Sequence, residues 1–159
     1  MDNAELVKQL TVLQDIEAIK QLKAEYCDIC DDDHNQDRIV TIFAEDGIWE
    51  GEGIGRAQGH ADIRKLFKSF AERISFSQHN VFNPRIEVHG DKAYGRWNLL
   101  GPFTFRDGNR QLWLAACYED DYVKINGVWK YQHLRAFVRI AAPYEVGWAS
   151  QATMEVFAH

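Results

Sequence analysis

The sequence predicts an α+β fold: a curved antiparallel sheet shaped into a cone, with N-terminal helices packed across its concave face and a pocket enclosed between them. Three observations carry this prediction. Apolar residues recur at helical spacing between Ala4 and Phe70, then at a period of two from Arg85 to Ile140. The strand segments are joined by turn chemistry, most clearly at Asn126-Gly127, where both residues tolerate positive φ. Helices followed by a meander of long strands place the helices on one face, and strands of that length twist and curl, leaving an interior.

The elements follow in order. Leu6, Leu10, Leu13, Ile16, Ile19, Leu22, Tyr26 and Ile29 mark a long helix from Ala4 to about Cys30, with a phase shift that predicts a break near Thr11 to Asp15. "DDDHNQ" closes it. A short helix is expected over Asp37 to Phe43, then a strand at Ile48 to Glu50, a loop "GEGIGRAQG", and a helix from His60 to Phe70. Strands are predicted over Arg85 to Val88, Ala93 to Phe105, Leu112 to Ile125 and Val128 to Ile140. The tail from Ala141 to His159 is irregular yet holds Tyr144, Trp148, Met154 and Phe157, so it is expected to pack on the sheet or on a neighbouring subunit.

Composition narrows the function. The chain has 159 residues, enough for one domain, 1–159, with one sizeable core. At 46% hydrophobic and 26% charged it reads as globular, and 13% aromatic residues supply both a core and walls for an apolar pocket. A net charge of −6 with no basic block argues against a nucleic-acid partner. No apolar run reaches membrane-spanning length, and the N-terminus has no targeting pattern, so no membrane partner and a cytoplasmic location are expected. The three cysteines, Cys27, Cys30 and Cys117, are read as buried reduced thiols. "CDIC" lies inside a helix, and zinc would need two further ligands with no second pair in sight.

The usual catalytic motifs are missing. An EF-hand begun at Asp31 has Gln36 where glycine is needed and Ile42 where glutamate is needed. "GEGIGRAQG" lacks the third glycine of a dinucleotide loop, and there is no serine elbow or H-E-x-x-H. No metal and no cofactor are predicted. What remains is His79 at the entry to a strand, acids at the end of the first helix, Tyr26, and a last strand of two unlike faces. Trp129, Tyr131, His133, Arg135, Phe137 and Arg139 alternate with a face that becomes aliphatic at Leu134, Ala136 and Val138. The aromatic and cationic face suits solvent, a subunit interface or a pocket wall, and a bulge would exchange the two faces. A neutral histidine is a natural general base, and a buried aspartate would fix its tautomer. A tyrosine hydroxyl would stabilise the enolate formed when a proton leaves carbon next to a carbonyl.

The stretches "DIEAIKQLKAEYCDICD", "IFAEDGIWEG", "HNVFNPRIEVHGDKAYGRW", "FTFRDG" and "YEDDYVKINGVWKYQHLRAFVRI" resemble the SnoaL-like branch of the nuclear transport factor 2-like superfamily, in particular its bile-acid 7α-dehydratase and scytalone dehydratase group. The resemblance runs from about Asp15 to Ile140 and implies the cone fold. It further implies that Tyr26 holds or protonates the reacting oxygen, Asp31 pairs with His79 as base, and Arg139 anchors a polar end of the substrate. Asp107 and Tyr118 fall near further polar pocket positions, and Phe137 and Trp49 join them as substrate contacts. Trp49 replaces a second pocket tyrosine of those dehydratases, and the last strand is one residue longer, so a bulge is expected.

The function implied is a cofactor-independent dehydratase-type lyase acting on a small hydrophobic, aromatic or polycyclic, hydroxylated substrate. The alternatives are an isomerase or carbon–carbon lyase with the same base, or a non-catalytic ligand-binding or assembly subunit of the ring-hydroxylating dioxygenase β type. The resemblance also implies a homo-oligomer, a trimer ahead of a dimer.

Overall fold

The computed structural model describes residues 2–153. Helix α1 (Asn3–Asp31) is capped by the Asp2 carboxylate, which accepts from the Glu5 N–H at 2.8 Å. The chain then passes through α2 (Gln36–Ile39), a 3₁₀ turn (Val40–Ile42), β1 (Phe43–Gly51), β2 (Gly55–Gln58) and α3 (Gly59–Arg73). Five strands follow: β3 (Ile74–Ser77), β4 (Asn80–His89), β5 (Lys92–Phe105), β6 (Arg110–Ile125) and β7 (Val128–Pro143). They make one mixed sheet of order β2-β1-β7-β6-β5-β3, with β4 pairing β5 beside β3.

The α+β class and the curled sheet are as expected, and four local readings change. Helix α1 runs unbroken, because Leu6, Val7, Leu10 and Leu13 are exposed and their phase need not match the stripe at Ile19, Leu22, Tyr26 and Cys30 that meets the sheet. Part of the "GEGIGRAQG" loop is strand β2, paired antiparallel to β1 from Ile48–Gln58 to Gly51–Gly55. The sheet is not wholly antiparallel, since β1 runs parallel to β7. A short strand, β3, precedes the predicted β4 and pairs with the far end of β5. The tail continues β7 to Pro143 and returns so that Ala141 bridges Thr153; Met154 and Phe157 lie outside the described residues.

Strand β7 carries two bulges rather than one. Asp121 and Tyr122 pair with His133 and Tyr131, leaving Gln132 extra, and Ala115 and Ala116 pair with Ile140 and Val138, leaving Arg139 extra. Each bulge exchanges the faces. Trp129 and Tyr131 therefore point inward, then Leu134, Ala136 and Val138, so the aliphatic stretch rather than the aromatic and cationic one lines the cone's deep end.

Candidate active site

Between α1, α3 and the sheet lies a cavity of about 50 Å³ walled by Phe67, Phe70, Phe103, Leu114 and Val138. Its polar groups are Tyr26 and Cys30 from the last turns of α1, His34 from the turn after it, His79 from the link between β3 and β4, Trp49 from β1 and Tyr118 from β6.

Asp31 ends α1 and meets His79 directly. The His79 Nδ1 lies 2.6 Å from Asp31 Oδ1, and the His79 backbone N–H donates to Oδ2 at 2.9 Å. The Ser77 hydroxyl donates to Oδ1 at 3.0 Å. Burial pushes the Asp31 carboxyl up, but the His79 ring and N–H together with Ser77 outweigh it and hold the group below its ordinary value. Phe103 closes on the imidazole edge-on, with ring centroids 5.0 Å apart. With Nδ1 committed to the carboxylate, Nε2 is the nitrogen left for the cavity.

The Tyr26 oxygen accepts from Trp49 Nε1 at 3.0 Å, which leaves its own proton to donate. Burial, with Cys30 and Tyr118 beside it, pushes the phenol well above its ordinary value, so it remains protonated. Trp49 thus orients Tyr26, a role available to an indole that cannot itself protonate a leaving group. Tyr118 is fully inside, its ring face 3.5 Å from Lys23 Nζ.

The structure brings Tyr26, Asp31, His79, Trp49 and Tyr118 together and leaves three of the predicted residues elsewhere. Arg139 is the extra residue of the second β7 bulge and lines an outer groove with Phe82, Trp113 and Trp148. Phe137 pairs with Cys117 on the face opposite Ala136 and Val138. Asp107 sits in the exposed β5–β6 turn, 3.6 Å from Arg110.

Sequence reasoning also missed three residues. His34 is buried against Phe67 and Phe70, in the left-handed region at φ 50°, with its N–H donating to the Cys30 carbonyl at 3.1 Å to close the helix. Its ring makes no hydrogen bond among the described residues, and burial, followed by the neighbouring His79, pulls its pKa down to about 3. Lys23 and Asp120 form an ion pair at 2.9 Å with both side chains fully buried. The helical stripe Ile19, Lys23, Tyr26, Cys30 could have revealed Lys23, since a lysine at a core position needs a buried partner.

A family model described as a SnoaL-like domain matches residues 11–135. The chain belongs to this family. The gamma-hexachlorocyclohexane dehydrochlorinase of Sphingobium indicum is 30% identical over 118 residues, covering 70% of this chain and 73% of that enzyme. The structure of a type 2 hexachlorocyclohexane dehydrochlorinase, LinA, matches with a TM-score of 0.80 and 27% identity, over 85% of this chain and 92% of that one. A scytalone dehydratase-like protein from Novosphingobium aromaticivorans, 21% identical over 87% of this chain and 93% of its own, shares the fold with a TM-score of 0.78. The SnoaL-like chain thus falls in a nuclear transport factor 2-like family that includes lyases. Among the described residues no helix is long and apolar enough to cross a membrane.

Proposed function

We propose that this protein is an eliminating lyase in which His79 is the general base. The observation that carries the reading is the 2.6 Å contact between Asp31 and His79 Nδ1 at the wall of an apolar cavity. The carboxylate selects the tautomer with its proton on Nδ1 and stabilises the imidazolium formed when Nε2 takes a proton from substrate carbon. The electron pair of the broken C–H bond forms the new double bond, and the leaving group departs with its own pair. Tyr26, held by Trp49, donates to the oxygen or leaving group where negative charge develops.

Phe67, Phe70 and Phe103 select a small hydrophobic carbocycle, and the names of the relatives favour hydroxyl or halide as the leaving group. No step calls on a cofactor. Arg139 has no part in this mechanism, because it faces the outer groove.

The test is a screen of hydroxylated and halogenated carbocycles for elimination, followed by His79→Ala on any substrate found. Removing the base should lower kcat by about 10²–10⁴-fold with the fold intact. A variant that turns over within a few-fold of the wild type would remove His79 from the mechanism.

A further inference from the structure

The Cys30 thiol, a ring nitrogen of His34 and a ring nitrogen of His79 all lie within 4.8 Å of one another. Cys30 and His34 are four residues apart across the end of α1, brought side by side by the left-handed turn at Asp33 and His34. His79 reaches them from the β3–β4 link, 6.1 Å from His34 between ring centroids. One soft donor and two imidazoles are the donor set that zinc and its neighbours prefer over magnesium or calcium.

We propose that Cys30, His34 and His79 form a binding site for a borderline divalent cation of the zinc class, and that filling it withdraws His79 from catalysis. The second half of this rests on His79 being the base; the first half does not. Three features prepare the site. Asp31 grips Nδ1 of His79, the carboxylate–histidine arrangement that orients Nε2 toward a metal. The His34 ring has no hydrogen-bond partner among the described residues, so a lone pair can be turned to a metal without breaking an existing bond. All three residues line the cavity, from which water or a substrate heteroatom would supply the fourth ligand.

In a tetrahedral site with bonds of roughly 2.0–2.3 Å, ligand atoms are about 3.5 Å apart. Separations that are at most 4.8 Å therefore need to close by no more than about 1.3 Å, which side-chain rotation of Cys30 and His34 supplies. Binding exchanges waters of the hydrated cation, released to solvent, for three protein donors and breaks the Cys30 S–H bond, whose proton also passes to solvent; no electrons are exchanged. The metal then occupies the Nε2 lone pair that would otherwise accept the substrate proton. Elimination is thereby switched off until the cation is removed.

The probe is Co²⁺, titrated anaerobically into the reduced, chelator-treated full chain and read by absorption. One equivalent should give a thiolate-to-cobalt charge-transfer band together with d–d bands of tetrahedral intensity, and one equivalent of Zn²⁺ should displace them. Cys30→Ser should abolish the charge-transfer band. His34→Gln should weaken cobalt binding by at least about tenfold, and Asp31→Asn by roughly 10–100-fold through loss of the outer carboxylate. Circular dichroism checks that each variant is folded, and either Cys30→Ser or His34→Gln alone decides the outcome. No band in the wild type, or a band that persists in Cys30→Ser, overturns the site. If the bands behave as expected but Zn²⁺ leaves elimination unaffected, the site stands and the inhibitory role falls. Absence of elimination in any substrate screen bears only on the lyase reading, because the cobalt titration needs no substrate.

Discussion

His34 and His79 are neighbours with opposite arrangements. His79 gives one nitrogen to a carboxylate at 2.6 Å, while His34 stands among phenylalanine rings with no such partner. Burial and the proximity of His79 hold His34 neutral down to about pH 3, whereas an unfolded histidine takes up a proton near 6.5. The sign follows directly. Between those values the unfolded chain binds the extra proton, so stability falls as the pH is lowered, by up to about 1.4 kcal/mol per pH unit from this residue. Urea unfolding between pH 6.5 and 4.5, in the presence of a chelator, should therefore show a shallower loss of stability in His34→Gln than in the wild type. Asp31 and the other carboxylates are common to both proteins, so their protonation toward pH 4.5 enters both profiles alike. Parallel pH profiles for the two proteins would mean that His34 is charged in the folded state or that its cavity admits solvent.

At the scale of elements, the site depends on how the β3–β4 link crosses β5. The Gln78 N–H donates to the Pro102 carbonyl at 3.2 Å, and a Cβ built on Gly101 would lie 1.8 Å from the Gln78 carbonyl oxygen. Glycine at 101 is what lets the segment carrying His79 lie against the strand. Gly101→Ala should push that link outward, with an overpacking cost of about 1–3 kcal/mol and a loss of about 10²-fold in kcat/KM from a base displaced by about 1 Å. Thermal unfolding and steady-state kinetics measure the two effects, and full activity in the variant would show that the link relaxes without moving His79. Period and turn residues place His79 at a strand entry and a group of acids at a helix end, and the family resemblance singles out Asp31 among them. The sequence conceals β3, only four residues long, and the two bulges of β7, which depend on backbone registration against β6. The resemblance that implied a pocket role for Arg139 and Phe137 does not register these insertions: Gln132 turns Phe137 to the outer face, and Arg139 is itself the extra residue of the second bulge.

For the molecule as a whole, the helix layer and the sheet are joined beneath the cavity by a charge that hydrophobic patterning does not announce. Lys23 Nζ meets Asp120 Oδ2 at 2.9 Å and lies over the Tyr118 ring, with Tyr26 at 4.9 Å. The same carboxylate oxygen accepts from the Tyr122 hydroxyl at 2.9 Å, whose oxygen in turn accepts from Trp97 Nε1 at 3.1 Å, so α1, β5 and β6 share one polar network inside the core. Such a pair contributes little over an apolar replacement but is costly to split, because the surviving charge has no access to water. Lys23→Met should therefore destabilise by about 3–5 kcal/mol. Lys23→Met combined with Asp120→Asn, which removes the stranded charge and keeps an acceptor for Tyr122, should recover more than half of that loss. Urea midpoints of the two single variants and the double variant complete the cycle. Strictly additive costs would show that Lys23 and Asp120 act independently and that the cavity floor is held by aromatic packing alone.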